Sequence, residues 1–535
     1  MLTLRISERD LVLPWGRDGD RWVAGDSFIA PYQHPTLEAY VIESGTRFAL
    51  IVRESLGGRS HRVHLRVHEV PVENFESAVD DAKGWPLDFV IATVQERDPD
   101  LLTVHAGAWG TAPLFFVVRG DTLFGHWDAA QLYGVAGELF DLNRVVFELA
   151  FIATPYSRRT LFPEMLMLTE RAVASWSNAL GLRIVYPVTK PYHAARDLTG
   201  DARVLDVFED LFAGILRRWL GDEPSSVYSE LSGGLDSGVA VAILRRRFPR
   251  AWVETFGLIM PGAIGMEQCA RRQELVGAMG ALDHPIEAAR FPLFYEEERV
   301  NDPIIPWCEY YHEAFRELLI QVREHGGHTL FRGIGGDEIS GLTLEELGEE
   351  SSAGAHEQPL LFPSFLTNEA LQRLTEAQDV LDPAPAGAAA SSFYQAAAAC
   401  APLFLRNGIW PLHPYGTPEL ISFCRNLPTE WRQGRTLQRR LLKRFGLSDR
   451  LVHPNPPESF LPVRDYTMRE SASFVRRILA DSRLVDLGLI KQNALIASYD
   501  QYRNDPSWPE AQNLVEVVVI ELTLRALERS GSIMQ

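Results

Sequence analysis

The chain predicts two unlike folds in series: a β-rich layered domain over residues 1–190, then an α/β domain with a largely parallel sheet over residues 202–535. Three observations carry this expectation. At 535 residues the chain exceeds what one hydrophobic core usually serves. Short apolar stretches alternate with polar residues through the first 190 positions, as half-buried strands require. Beyond residue 202, helical periodicity and short strand-like runs take turns, which is the pattern of βα units.

The elements follow in order. Phe48 to Val52, Val63 to Val67, Phe89 to Val94 and Leu114 to Val118 read as strands separated by Gly, Asp and Pro. Tyr186 to Asp201, with Pro187, Pro191 and Gly200, breaks the periodicity and reads as a linker. Val204, Leu205, Phe208, Leu211, Phe212, Ile215, Leu216 and Trp219 then recur at three and four residues, giving a helix with one apolar face. Strand candidates Val227 to Leu231, Val253 to Met260 and His328 to Phe331 alternate with helices. Gly348 to Pro359 is acidic and rich in small residues and reads as a surface loop, with a lid as its functional reading. Asp382 to Cys400 reads as a loop running into an alanine-rich helix.

Composition excludes several classes. Hydrophobic residues at 46% and charged residues at 23% fit a folded globular protein. The longest apolar runs are interrupted by glutamates and fall short of the roughly 20 residues a bilayer span needs. Arg5, Glu8, Arg9 and Asp10 occupy the stretch where a signal peptide would be apolar, so a cytoplasmic location is expected. The four cysteines, Cys269, Cys308, Cys400 and Cys424, lack CxxC spacing and read as reduced thiols. A net charge of -19 argues against nucleic acid as the main partner. The 52 basic residues include only four lysines, so lysine-dependent mechanisms have few candidates.

The sharpest feature is Ser232-Gly233-Gly234-Leu235-Asp236-Ser237, which follows a strand candidate and opens the helix-like Gly238 to Arg247. Small residues at a strand end let the backbone bend tightly, so that N–H groups and the next helix's positive end surround an anion. Ser232 and Ser237 add hydroxyl donors. No lysine follows, so this is not the G-x-x-x-x-G-K-[ST] loop, and phosphate charge must be met by amides, hydroxyls and a metal. Asp236 suits a Mg²⁺ ligand. A plain glycine turn is the competing reading.

The hexapeptide resembles the pyrophosphate loop of the ATP pyrophosphatases. A second element, Arg332-Gly333-Ile334-Gly335-Gly336-Asp337-Glu338, resembles the G-D-G-x-D-E element of the asparagine synthetase and β-lactam synthetase family within that group. Gly107 to Phe116 and Arg159-Thr160-Leu161-Phe162 are similar to stretches of the family's glutamine-hydrolysing domain, and His413-Pro414-Tyr415 to Pro428 to a later segment. The resemblance implies an N-terminal β sandwich like a glutamine amidotransferase domain, then a doubly wound parallel sheet that binds ATP. It implies ATP and Mg²⁺ as cofactors, held by Ser232, Gly233, Gly234, Asp236, Ser237 and Gly335, with Asp236 and Asp337 as metal ligands.

The pattern departs from the family in three places. No cysteine occurs before Cys269, so the thiol chemistry that releases ammonia from glutamine is not expected. That loss is shared by the amide-forming relatives, among them β-lactam synthetase and the lasso-peptide cyclases. Ile334 and Trp410 stand where the β-lactam formers place a tyrosine and its glutamate partner, which weakens that reading. The family's late lysine should fall between Pro456 and Arg469, where none occurs, and Arg464 is the candidate replacement. For a general base, His413 is the first candidate and Glu338 the second, with a structural histidine the competing reading. Arg435, Arg439, Arg440, Lys443 and Arg444 form a basic cluster on a helix candidate, either near the nucleotide or simply solvated.

The resulting expectation is an ATP-dependent, AMP-forming carbon–nitrogen ligase. It adenylates a substrate carboxylate and passes the acyl group to an amine, with peptide macrolactam formation of the lasso type as the favoured product. The partners implied are a peptide or small molecule carrying both groups, a leader-binding protein and a protease, with no nucleic acid and no membrane. A small-molecule amide or β-lactam synthetase, a tRNA-modifying enzyme and a non-catalytic nucleotide-binding scaffold are the alternatives.

Overall fold

The computed structural model describes residues 1–58, 65–95, 102–137, 139–152, 155–188, 196–293, 305–306, 308–342, 346, 362–377, 381–385 and 387–533. The fold is mixed α/β, with two mostly antiparallel sheets and one parallel sheet. The loop expected over Gly348 to Pro359 lies outside the described residues, as does the middle of the Tyr186 to Asp201 linker.

The first seven-stranded sheet runs in the order Met165–Leu168, Leu114–Arg119, Thr122–His126, Leu2–Ser7, Ser27–Pro31, Arg21–Ala24 and Gly16–Asp18, all antiparallel. The second runs Gly181–Val185, Val173–Ser177, Leu102–Ala106, Phe89–Val94, Arg47–Glu54, Leu37–Ser44 and Arg66–Glu69. Its last pair is parallel and the rest antiparallel. Alternation along Arg47–Glu54 explains its double burial. Phe48, Leu50 and Val52 enter the core shared with the first sheet, while Ala49 and Ile51 face a smaller core under the helix Phe75–Lys83. Trp22 of the first sheet meets Phe48 of the second edge-on at 5.7 Å.

In the second half, helix α1 (Val204–Leu220) turns Phe208, Phe212, Ile215, Leu216 and Trp219 inward, the face its periodicity predicts. The parallel sheet then forms from β1 (Ser226–Glu230), β2 (Trp252–Ile259), β3 (Leu282–Glu287), β4 (Thr329–Phe331) and β5 (Trp410–Leu412), in the order β3-β2-β1-β4-β5. Order reverses between β1 and β4, so a crevice opens beyond their C-terminal ends, where open α/β sheets place ligands. Helices α2 (Leu235–Arg247), α3 (Ala263–Met279), α4 (His312–Glu324) and α5 (Ser391–Arg406) connect these strands. Residues 237–244 of α2 are all buried, as expected of a helix packed on every side.

The two halves share one hydrophobic core. Trp109 and Trp219 meet edge-on at 5.4 Å. Glu54 is fully buried between the halves and accepts from the indole N–H groups of Trp219 (2.9 Å) and Trp410 (2.7 Å). The Arg406 guanidinium forks onto Asp128 with two contacts of 2.8 Å, and the Tyr32 hydroxyl donates to the Leu405 carbonyl. A buried bidentate pair of this kind fixes geometry as well as charge. None of the four cysteines is joined in a disulfide. Among the described residues no helix is long and apolar enough to cross a membrane.

Candidate functional site

The turn after β1 has the shape its residues predict. Gly233 has φ +91°, and Gly234 is the N-cap of α2. The Ser232 N–H donates to Ser237 Oγ (3.2 Å), and the Gly234 N–H donates to Ser232 Oγ (3.2 Å). Ser232 Oγ and Ser237 Oγ lie 3.0 Å apart. Both hydroxyls therefore sit inside the curl of the loop, beside the first turn of a helix whose partial positive charge favours an anion.

Three side chains bond to this turn. Gln268 of α3 donates to the Ser232 carbonyl (3.2 Å) and accepts from the Met260 N–H (2.8 Å). Arg271 donates to the Gly233 carbonyl (2.9 Å). Glu458 comes from the Pro456-to-Arg469 stretch. It accepts from Ser232 Oγ (2.8 Å) and Gln268 Nε2 (3.0 Å). A Cβ placed on Gly234 would sit 2.2 Å from Glu458 Oε2, so glycine is what admits the carboxyl here. Burial holds the Glu458 carboxyl above the ordinary range, against the lowering effect of its bonds to Gln268 and Ser232.

The second turn, after β4, packs directly on the first. Arg332 is buried, donates to Glu230 Oε2 at the end of β1 (2.9 Å), and stacks over Phe315 and Phe404. A Cβ on Gly336 would come within 2.2 Å of Asp236 Cγ, so this position has no room for any side chain. Gly335 has φ +97° and turns the backbone toward Tyr415, whose hydroxyl donates to the Asp236 carbonyl (2.8 Å).

This approach brings Asp236 and Asp337 to one guanidinium. Arg435 Nη1 donates to Asp236 Oδ2 (3.0 Å), and its Nη2 pairs with Asp337 Oδ1. Gln438 of α6 (Thr436–Arg444) donates to the Gly336 carbonyl (3.0 Å) and to Ser340 Oγ (2.8 Å). Asp236 is mostly buried while Asp337 is 64% exposed, so the pair opens to solvent on the Asp337 side. Burial raises the Asp236 carboxyl well above the carboxylate range. Arg435 opposes that shift and the Asp337 charge adds to it. Two carboxylates this close suit a hard cation that prefers oxygen ligands, and Arg435 supplies the compensating charge between them.

Of the basic cluster, Arg435 alone is described in contact with the two aspartates. Arg439 bonds the Gly434 carbonyl, Arg440 stacks over Trp431, and Arg444 pairs with Asp206 and Glu209. Glu338 lies next to the pair and accepts from Ser392 Oγ of α5 (3.0 Å). Ser392 also lines a cavity of about 390 Å³ whose wall carries charges of both signs, Glu148, Glu309 and Glu516 with Arg144 and Arg159. Burial raises the carboxyls of Glu309 and Glu516, and Glu148 adds to the second shift.

Two expected residues make other contacts. His413 is buried, meets Phe393 edge-on at 5.8 Å, and is held neutral by burial and then by Arg332, its pKa pulled down to about 3. A ring held neutral in this way is poorly suited to serve as a base near neutrality. Arg464 lies on α7 (Leu461–Glu470), where its guanidinium bonds Asp465 (2.8 Å) and lies over the Tyr502 ring. The pair with Asp465 commits its charge locally. The residues that reach the loop instead are Glu458, Gln268, Arg271, Arg435 and Gln438. The arginine cluster was the one sequence signal that pointed to any of them.

No family profile and no curated protein matches the chain. Among solved structures it is similar to the U34-tRNA thiolase NcsA from Methanococcus maripaludis with its 4Fe–4S cluster, at 14% identity and a TM-score of 0.22, with 43% of this chain and 83% of that chain covered.

Proposed function

We propose that the protein is an ATP-dependent, AMP-forming amide synthetase acting on a substrate that brings both a carboxylate and an amine. The supporting observation is the meeting of two glycine turns at the point where strand order reverses, which sets a hydroxyl-lined anion loop beside a paired Asp236 and Asp337. Ser232, Ser237 and the amides of the turn hold the phosphates of ATP. Asp236 and Asp337 have the donor chemistry to hold Mg²⁺, which when bound neutralises phosphate charge and orients the α-phosphorus.

The reaction balances without a redox partner. A substrate carboxylate oxygen attacks the α-phosphorus and pyrophosphate leaves. The amine then attacks the acyl carbon, AMP leaves, and the amine proton passes to a base. We assign that base to Glu338, which follows Asp337 in the chain and accepts a hydrogen bond from Ser392. The protein contributes alignment and electrostatic complementarity rather than covalent steps. The cavity behind Ser392 adjoins this point and offers room for part of the substrate. Within this class we favour intramolecular closure of a peptide, a macrolactam of the lasso type, with a leader-binding protein and a protease as partners.

The test is pyrophosphate release from MgATP in the presence of candidate precursor peptides, with AMP and the dehydrated product measured together. Release that depends on a peptide bearing both a free carboxylate and an amine is the expected result. Nucleotide binding without turnover across such substrates supports a scaffold instead, and turnover only with RNA supports a tRNA-modifying enzyme.

A further inference from the structure

We propose that Glu254, His284 and His325 form a transition-metal site of the Zn²⁺ class on the sheet face covered by α4. Glu254 is on β2, His284 on β3, and His325 caps the C-terminus of α4. One ligand atom from each lies within 4.8 Å of the other two. Alternation places them together: Glu254 and Phe256 point to one side of β2, and His284 is the register partner of Phe256. Thr255 and Asp283 point the other way, where Asp283 pairs with Arg272 of α3. The site is thus behind the sheet from α3 and outside the machinery described above.

The ligand chemistry is specific. His284 Nε2 faces Glu254 Oε2 at 3.0 Å, close to the separation of about 3.3 Å between neighbouring ligand atoms on a tetrahedral ion with bonds near 2.0 Å. His325 Nδ1 is 2.8 Å from the Gln321 carbonyl. Donating there leaves Nε2 with the free lone pair, the arrangement of a metal-bound histidine whose second nitrogen is held by a backbone carbonyl. The two imidazoles lie 4.2 Å apart, and Phe256 stacks on His284 at 4.7 Å and meets His325 edge-on at 5.6 Å. The Tyr228 hydroxyl donates to the His325 carbonyl (2.7 Å), fixing the backbone as well. Two imidazoles and a carboxylate suit Zn²⁺, Co²⁺ or Ni²⁺ rather than Mg²⁺. The exposed His325 ring closes the remaining gap by a small shift.

Such an ion would tie β2, β3 and the end of α4 together. Residue 325 also leads into β4 and the turn that carries Asp337, so the ion would anchor the segment that positions the second aspartate.

The test uses the full chain, stripped with chelator and kept in excess Mg²⁺ so that the aspartate pair does not add to the count. Co²⁺ titration should give one equivalent with the intense visible bands of a four-coordinate site, and Zn²⁺ should displace it and raise the melting temperature. His325→Ala and His284→Gln should lose that equivalent and the Zn²⁺-dependent rise, while melting like the parent protein in chelator and keeping its nucleotide affinity. Absence of a bound equivalent in the parent protein, or its retention in both variants, overturns the proposal.

Discussion

Ser232 and Glu458, 226 residues apart in the chain, share a hydrogen bond of 2.8 Å inside the loop that should receive phosphate. The carboxyl occupies ground where a negative group is favoured, and burial biases it toward its neutral form. As pH rises through its raised pKa it becomes an anion facing the incoming nucleotide. Once that carboxyl ionises, Glu458→Gln should therefore bind MgATP more tightly than the parent protein, by on the order of 1 kcal/mol, and with a flatter pH dependence. Calorimetry over a pH series reads both, and parallel pH dependences in the two proteins remove this reading.

Asp236→Asn and Asp337→Asn should each lower substrate-dependent pyrophosphate release on the order of 100-fold or more, with melting temperature little changed at the exposed Asp337. Raising Mg²⁺ should recover part of the loss in the Asp337 variant. Equal turnover in either variant removes that aspartate from the reaction.

Gly336→Ala puts a methyl group 2.2 Å from Asp236 Cγ. The turns must part to admit it, at a cost of about 1–3 kcal/mol. Unfolding should register that loss, and Mg²⁺-dependent nucleotide affinity should fall with it. An unchanged affinity would mean that the contact between the turns does not matter for binding.

Glu54 supplies a pH signature of stability. Burial raises its pKa from 4.5 to about 7, with the Asp88 charge adding to the shift. The fold favours the neutral carboxyl, so its contribution is complete below pH 4.5 and is lost as pH rises through about 7. Glu54→Gln stays neutral throughout. Its stability relative to the parent should improve from pH 5 to pH 8 by on the order of 2–3 kcal/mol, on top of a constant offset from the altered bonds to Trp219 and Trp410. Denaturant unfolding at several pH values gives the slope, and a difference independent of pH contradicts the assignment.

His413→Phe should leave the pH–rate profile of amide formation unchanged, because the native ring stays neutral across the working range. A shifted basic limb would return the histidine to the chemistry.

The fold class was legible because each half announces its period. The short unbroken apolar runs Phe48 to Val52 and Phe89 to Val94 suit strands covered on both faces, and the three–four spacing of Phe208, Phe212, Ile215 and Trp219 sets a helix face. The parallel pairing of the exposed strand Arg66–Glu69 with Leu37–Ser44 carried no such signal, since no buried face marks it. At the site, the two glycine turns were legible because each is written in consecutive residues. Their partners were not. Glu458, Gln268 and Gln438 reach the loop only through tertiary folding, and each looks like an ordinary polar residue in its own segment. Arg464 shows the opposite error: it stands in the right stretch of chain, but its helix turns it to Asp465.

The indoles of Trp219 and Trp410 both end on a carboxyl from the opposite half, at the bottom of a core common to the two. The second half expressed by itself would carry a greasy wall with two dangling indole donors, and the first half would carry a stranded acid. Engineering that swaps one half for a foreign counterpart must transplant this seam intact, so the unit that can be exchanged is the whole chain rather than either piece.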